Sequence, residues 1–252
     1  MQLLKSLIDP QENYGKAPLS KFFKKVSSEE NKLVRILDIG AGSGRDLHLA
    51  ASFFSKSELH AIECYPKNVE TLKQSGVFTK SIDLERAVYP YENNTFDLII
   101  ANQILEHCKE IFWIFHEVTR ILKPSGHLMI GVPNIASFHN RLLLLFGQQP
   151  TSLKNWSAHV RGFSKPDLEN TIKKVAPETY TLENFGGSNF YPFPKLVARP
   201  LARIFPTLAW SIFFDFKKVG DSKDAFLRFP IEHRLETNFY LGPNQDSFTI
   251  KR

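Results

Sequence analysis

The sequence predicts an α/β protein with a doubly wound, mostly parallel sheet, and three observations support this prediction. Apolar runs typical of buried strands alternate with segments of helical spacing along residues 33–135. A glycine-rich turn follows the first of these strands, and an acidic residue ends the second. In open parallel sheets, ligands bind at the carboxyl ends of the strands, which is where such turns and acidic residues lie.

The first strand and the turn after it are the most informative stretch of the chain. Val34 to Ile39 is an apolar run broken only by Arg35 and Asp38, and it leads directly into Gly40-Ala41-Gly42-Ser43-Gly44. Three glycines in these five residues indicate a tight turn that a ligand approaches closely. Arg45 to Phe54 has helical spacing, so the turn offers free backbone N–H groups at a helix start.

Two phosphate-binding patterns are alternative interpretations of this turn. The dinucleotide pattern G-x-G-x-x-G is satisfied at Gly40 and Gly42, but its third position falls on Arg45. The phosphate loop G-x-x-x-x-G-K-[ST] fails because no Gly-Lys-Ser/Thr follows. What remains is Asp38 followed by a G-x-G-x-G run that ends at Gly44, which suits a ligand with a cation near the turn. A glycine-rich turn without a ligand is the alternative.

Leu37 to Gly44 resembles the first motif of the class I S-adenosylmethionine-dependent methyltransferases. This cofactor carries an ammonium and a sulfonium and has no pyrophosphate. Asn93 to His107 resembles the fourth motif of the small-molecule (methyltransferase type 11-like) branch of the family. The resemblance covers roughly residues 30–135. It implies a Rossmann-like sheet of seven strands, with S-adenosylmethionine as cofactor, and says little about the acceptor.

The resemblance also implies which residues hold the cofactor. Glu63 ends the second strand, where open α/β sheets place a carboxylate against ribose hydroxyls; a solvated strand-end residue is the alternative. Asp83 follows the third strand and is expected to accept from the adenine amine, or else to cap a helix. The expected cofactor-binding residues are Asp38, Gly40, Ala41, Gly42, Glu63, Cys64, Asp83, Leu84 and Asn102.

Three histidines and one arginine are candidates for the acceptor side of the site. Methyl transfer depends largely on positioning two reactants, and an oxygen acceptor also benefits from a general base. His107 follows the fourth strand closely and is the first candidate for that base; alternatively, Glu106-His107 only sets the turn and shields the cofactor. His139, His159 and Arg161 are expected to contact the acceptor, with Arg161 suited to an anionic group.

Charge and composition limit the partners. The net charge is +6, and residues 135–252 carry all of it, because residues 1–134 hold equal numbers of basic and acidic residues. A basic half favours an anionic acceptor, a membrane surface or nucleic acid, with a solvated surface as the alternative. No apolar run approaches the roughly 20 residues of a membrane span, and the N-terminus lacks a signal-peptide pattern. The two cysteines suggest reduced thiols in a cytoplasm, and no Cys/His spacing predicts a metal site.

The expected function is methylation of a small-molecule acceptor that is anionic, sugar-like or lipid-linked. The alternative is a nucleic-acid methyltransferase or an RNA-binding protein that uses the basic C-terminal half. Against that alternative, Asn102-Gln103-Ile104-Leu105 stands where a base-flipping loop of the Asn-Pro-Pro-Tyr type would be. A non-catalytic partner that keeps the fold is a third hypothesis, and the intact glycine turn argues against it.

We expect three parts along the chain: a helical lid over residues 1–32, the methyltransferase domain over residues 33–218 and an extension over residues 219–252. Within the domain, residues 136–165 and 186–210 are expected insertions. The second insertion mixes prolines with basic and apolar residues, so it suits a membrane surface, a lipid-linked acceptor or a packing helix. The lid prediction depends on apolar side chains at helical spacing: Leu19, Phe22, Phe23 and Val26.

Two strand pairs are predicted in the C-terminal half. Thr179 to Phe185 and Ser211 to Lys217 are expected to pair antiparallel, as the reversed edge of the sheet that the resemblance implies. In the extension, Ala225 to Phe229 alternates and, together with His233 to Leu241, predicts a β-hairpin.

Overall fold

A seven-stranded sheet forms the centre of the structure, a computed structural model that describes residues 13–27, 33–235 and 239–243. The strands are β1 Val34–Ile39, β2 Ser57–Ile62, β3 Phe78–Lys80, β4 Phe96–Asn102, β5 Leu122–Pro133, β6 Tyr180–Ser188 and β7 Ser211–Lys218. Their order across the sheet is β3-β2-β1-β4-β5-β7-β6.

All strands except β7 run in one direction. β1 to β5 pair in parallel, whereas β7 pairs antiparallel with both β5 and β6. The predicted antiparallel edge pair is therefore confirmed. β2 and β4 flank β1, so the chain changes direction across the sheet at β1, the kind of position where open α/β sheets bind ligands. The predicted fold class, a doubly wound and mostly parallel sheet of seven strands, is confirmed.

Eight helices of the described residues flank this sheet. They are α1 Lys16–Ser27, α2 Arg45–Ala51, α3 Pro66–Gln74, α4 Ile111–Ile121, α5 Phe138–Leu145, α6 Lys165–Val175, α7 Lys195–Ile204 and α8 Ala225–Glu232. Pro66 begins α3 at the first helical position, where its missing N–H is not needed. The Ser164 side chain caps α6 by accepting from the backbone N–H of Asp167. None of the helices in the described ranges is long and apolar enough to cross a membrane.

Apolar side chains cover both faces of the sheet. On one face, α4, α6 and α8 bury their apolar side chains against β4 and β5. On the other face, α1 and α2 do the same, and Leu19, Phe22 and Phe23 of α1 are fully buried there. The helix predicted from the spacing of these residues is confirmed over Lys16–Ser27. Residues 1–12 and 28–32 of the expected lid lie outside the described residues.

The predicted hairpin in the extension is wrong. Ala225–Glu232 is the helix α8, in which Phe226 and Leu227 are buried. Phe226 stacks on Phe115 of α4, with 5.4 Å between ring centroids. Apolar residues four positions apart share one face in a helix and also in a strand, and the face that α4 offers selects the helix. The described part of the second predicted strand, residues 233–235 and 239–241, is not in a strand.

Candidate active site

Three glycines with left-handed backbone build the turn after β1. Gly40, Gly42 and Gly44 have φ values of 70°, 54° and 84°, a region that favours glycine. A methyl group added at Gly40 would meet Ile104 at 2.6 Å. At Gly42, by contrast, no heavy atom of the described residues beyond its chain neighbours lies within 4 Å of such a group. The turn is thus closed on one side and open to a ligand at Gly42, with Ala41 buried between the two glycines.

Glu63 connects this turn to the next strand. It follows β2, is buried, and accepts hydrogen bonds from the backbone N–H groups of Gly42 and Tyr65, one on each carboxylate oxygen and each over 2.8 Å. Each oxygen keeps a further lone pair for another donor. Glu63 can therefore fix the turn and still accept from the hydroxyl groups of a ligand. The adjacent Cys64 is exposed and has a free thiol.

Asp38 lies at the end of β1 and is only 3% exposed. Burial, and then the nearby carboxylate of Asp46, raise the pKa of Asp38 well above its usual value, while Arg45 lowers it and Glu63 raises it further. No hydrogen bond to its carboxylate comes from the residues the structure describes. A buried carboxylate without a partner is complementary to a cationic ligand group.

Asn102, at the end of β4, links the site to the segment before α1. Its side-chain amide donates to Asp46 Oδ2 over 2.6 Å and to the backbone carbonyl of Tyr14 over 3.0 Å. Arg45 pairs with Asp46 at 2.9 Å and lies over the Tyr14 ring, 4.3 Å from its centroid. Asp46, Arg45 and Tyr14 were missed by sequence reasoning. The adjacent Arg45-Asp46 pair directly after the glycine turn was the available signal for two of them.

Asp83 and Leu84 follow β3 in an exposed turn. Asp83 Oδ1 accepts from the backbone N–H of Glu85 over 2.8 Å, which is a turn contact and not the helix cap of the alternative, because no helix lies between β3 and β4 in the described residues; its second oxygen accepts no hydrogen bond from them. The backbone carbonyl of Leu84 accepts from the hydroxyl of the buried Tyr89 over 3.2 Å. This bond anchors the turn to the core.

The structure brings His107 and His159 together with the buried Glu106. The two imidazole rings lie edge to face, with 4.7 Å between their centroids. Burial raises the pKa of Glu106 to about 7, and burial together with His107 lowers the pKa of His159. Arg161 donates to the backbone carbonyls of Cys108 and Lys109 over 3.0 and 2.7 Å, so two of its donors hold the loop in place.

His139 does not join this cluster. Its ring nitrogens lie 3.1 Å from the hydroxyl of Ser137 and 3.2 Å from that of Thr151. The ring stacks on Trp210 with 4.4 Å between centroids and meets Tyr191 edge to face. Burial lowers the pKa of His139 to about 4, so the ring is neutral at pH 7.

Comparison with known proteins assigns this arrangement to a family. A family model described as a methyltransferase domain matches residues 37–130, which contain the glycine turn, Glu63, Asp83, Asn102 and His107. The chain carries a class I S-adenosylmethionine-dependent methyltransferase domain. S-adenosylmethionine is the cofactor of this domain. The expected family, fold and cofactor are thereby confirmed.

Curated relatives match part of this chain at low sequence identity. Malonyl-[acyl-carrier protein] O-methyltransferase of Halorhodospira halophila is 22% identical over 42% of this chain and 37% of its own length. The mitochondrial ubiquinone biosynthesis O-methyltransferase of Mus musculus is 24% identical over 64% of this chain and 45% of its own length. The chain therefore spans less than half the length of either relative.

Solved structures share the fold over most of the chain. A methyltransferase dependent on S-adenosylmethionine from Archaeoglobus fulgidus superposes with a TM-score of 0.52 and 13% identity, covering 81% of this chain and 95% of that one. The PH0226 protein from Pyrococcus horikoshii gives 0.55 and 17%, covering 84% and 93%. At such low identity these likenesses concern the fold.

The residues around the glycine turn after β1 match the chemical groups of the cofactor. Asp38 offers to a ligand cation a buried carboxylate that takes no hydrogen bond from the described residues, Gly42 leaves the backbone open, and Glu63 keeps lone pairs for hydroxyl groups. All three lie at the carboxyl ends of β1 and β2, on one edge of the sheet.

Proposed function

We propose that the chain transfers the methyl group of S-adenosylmethionine to a small, lipid-linked acceptor with an anionic group. The observation that supports methyl transfer best is the Glu63 carboxylate, which bridges two backbone N–H groups at an open glycine turn. When bound, the cofactor supplies a methyl group on a sulfonium, which is a good leaving group. The chain's contribution is then to bind and orient two reactants.

We assign the cofactor contacts as follows. Asp38 faces the cationic part of the cofactor, and Glu63 accepts from its ribose hydroxyls. The free oxygen of Asp83 and the Leu84 backbone belong to the adenine side. Asn102 keeps Asp46 and the Tyr14 backbone over the site. The backbone of the turn and the strand end completes the contacts at Gly40, Ala41, Gly42 and Cys64.

We assign the acceptor side of the site to the cluster formed by His107, His159 and the buried Glu106. His107 Nδ1 lies 3.3 Å from the carbonyl of Ala158, which only accepts, so the proton sits on Nδ1 and Nε2 is free to take one from an oxygen acceptor. His159 lies against this ring, and Arg161 keeps one guanidinium nitrogen beyond its two carbonyl contacts for an anionic group. His139 is the more distant contact candidate, in its own aromatic pocket.

Two helices near the site expose apolar side chains in place of burying them. α5 buries His139 and Asn140, whereas Leu145 and the following Phe146 are each 76% exposed. α7 buries two alanines and leaves Leu196 90% exposed. A packing helix normally turns its large apolar residues inward, so these faces favour an apolar medium outside the protein.

The position and charge of these helices favour a membrane that presents the acceptor. α5 follows the carboxyl end of β5, and α7 follows that of β6, which runs in the same direction, so both lie at the edge that holds the cofactor turn. The Phe138 ring of α5 meets Phe193, just before α7, with 6.4 Å between centroids. Basic side chains lie on both helices, Arg141 on α5 and Arg203 on α7, and Lys154 lies in the loop after α5. Apolar residues among basic ones are typical of surfaces that bind anionic membranes.

Calorimetric titration with S-adenosylhomocysteine tests the cofactor assignment. Glu63→Gln should weaken binding at least about tenfold, since hydrogen bonds to charged groups contribute ~1.5–3 kcal/mol. Glu58→Gln is the matched control, because Glu58 lies on the same strand at its other end, paired with Arg35 and His60. Unchanged affinity in Glu63→Gln, or an equal loss in the control, would contradict the proposal.

A further inference from the structure

A compact set of metal-ligand side chains lies at the end of β4. The ligand atoms of Glu106, His107 and His159 all lie within 4.8 Å of one another. Glu106 and His107 come from the short helical turn Leu105–His107, while His159 comes from the loop before α6. Sequence spacing did not reveal this set, because the two histidines lie 52 positions apart along the chain.

Two buried atoms of this set have no hydrogen-bond partner in the described structure. They are Oε2 of Glu106 and Nδ1 of His159. Glu106 is only 2% exposed, so its carboxylate has little contact with bulk solvent. Leaving a buried acceptor unpaired is costly, and the cost is larger for a charged group. A cation between the carboxylate and the imidazole nitrogens would remove this cost.

The remaining ring nitrogens are oriented as they are in metal sites. His107 Nδ1 lies 3.3 Å from the Ala158 carbonyl, so it carries the proton and leaves Nε2 as a ligand atom. His159 interacts with the backbone of Ser152, and its free Nδ1 is the other candidate ligand. Histidines that bind a metal almost always donate their second ring N–H to a carbonyl or carboxylate.

A frame of hydrogen bonds holds the two segments against each other. The backbone N–H of Val160 donates to the Glu106 carbonyl over 2.8 Å. Arg161 donates to the carbonyls of Cys108 and Lys109 over 3.0 and 2.7 Å. The ligands are therefore held in place by contacts that do not use the ligand atoms themselves, which is the support that a metal site needs.

We propose that Glu106, His107 and His159 bind one divalent transition-metal ion, such as Zn²⁺. Two imidazoles and one carboxylate form a common donor set for Zn²⁺ and other borderline divalent ions, and three protein ligands leave a coordination position open. In that case His107 is a ligand, and the ion takes over the activation of an oxygen acceptor at the open position. The role of the ion in activation rests on the proposed methyl transfer, whereas metal binding itself does not.

Titration of the full chain with Co²⁺, after removal of metal by a chelator, tests the site. We expect about one ion per chain, with visible ligand-field absorption that Zn²⁺ then displaces. Glu106→Gln and His159→Asn should each weaken Co²⁺ binding at least tenfold. His233→Asn, which changes an exposed histidine at the end of α8, should leave it unchanged. No absorption change in the unmodified chain, or equal binding by all variants, would overturn the proposal.

Two readouts keep this test separate from the methyl-transfer proposal. S-adenosylhomocysteine affinity should stay within a few-fold in Glu106→Gln, because the cofactor contacts are assigned elsewhere, and this also shows that the variant is folded. A thiolate charge-transfer band with Co²⁺ would instead assign the ion to a cysteine such as the exposed Cys64, and would refute the site.

Discussion

The carboxylate of Glu63 accepts a hydrogen bond from the backbone N–H of Gly42 over 2.8 Å, and so joins the end of β2 to the turn after β1. The two strands are neighbours in parallel register, with Ile39 opposite Ile62. Because the register brings both strand ends to one edge, a residue 21 positions away in sequence fixes the open part of the turn. The cofactor turn is thus held by the sheet itself rather than by the loop alone.

Asp38 makes cofactor affinity depend on pH. Burial raises its pKa well above the usual value, so near that pKa part of the free protein carries a proton there. The ammonium of S-adenosylhomocysteine stabilises the ionised form, so binding releases that proton. Affinity should therefore rise with pH up to the raised pKa, by at most about tenfold per pH unit, and level off above it.

Calorimetry at several pH values, in buffers with different ionisation enthalpies, measures this proton release. Asp38→Asn should abolish the pH dependence and weaken binding above the pKa of Asp38. Asp97→Asn is the control. Asp97 lies near the start of β4, at the edge of the sheet opposite the glycine turn, and pairs with Lys123. A pH dependence that survives in Asp38→Asn would assign the proton to another group.

Asn102→Ala should destabilise the fold as well as the site. Its amide donates to the buried Asp46 and to the Tyr14 backbone, and the substitution leaves Asp46 with Arg45 alone. Loss of one partner of a buried acceptor costs ~1–3 kcal/mol. Urea unfolding should show this decrease in the free energy of unfolding. Asn93→Ala, which removes an exposed contact to Arg120, should stay within about 0.5 kcal/mol of the unmodified protein.

The exposed faces of α5 and α7 should bind anionic vesicles. Sedimentation with phosphatidylcholine vesicles, with and without phosphatidylglycerol, measures the binding. The double substitution Leu145→Gln/Phe146→Gln should weaken it at least tenfold without loss of stability, since burial of each such side chain contributes ~1.5–3 kcal/mol.

Val219→Gln is the matched control for this surface. Val219 is 57% exposed but follows β7, which runs antiparallel, so it lies at the opposite edge of the sheet. Equal vesicle binding by the double variant would rule out the assigned surface. If the chain did not bind vesicles and instead dimerised with concentration, a second copy would be the occupant of these faces. Binding to nucleic acid that weakens steeply as the salt concentration rises would support the alternative function, a nucleic-acid methyltransferase or an RNA-binding protein.

The elements predicted best were those whose signal is local. The β1 bounds and the glycine turn followed from one short stretch, because parallel strands are continuously apolar and the turn requires glycine. The contacts that complete the site come from far away: Tyr14 meets Asn102 across 88 residues, and His159 meets His107 across 52. Such pairs depend on how loops return over the sheet, which periodicity does not encode.

Helix and strand signals conflicted at α8, where a short run of apolar residues fits both periods. Ala225 to Phe229 became helical because Phe226 finds Phe115 on α4. The segment of α7 left a membrane surface, a lipid-linked acceptor and a packing helix open, because periodicity alone does not show which face is buried. The structure buries His139 and Asn140 of α5 and two alanines of α7, while Leu145 and Leu196 stay exposed.

His139 should make stability fall in acid. Burial lowers its pKa from 6.5 to about 4 in the folded chain, and its neighbours Ser137, Thr151 and Trp210 are uncharged. As the pH falls from 6.5 towards 4, the unfolded chain gains a proton that the folded chain does not, so the free energy of unfolding decreases by at most ~1.4 kcal/mol per pH unit. His139→Gln should flatten this slope in urea unfolding, whereas His233→Gln should not. An unaltered slope in His139→Gln would mean that another group governs the acid instability.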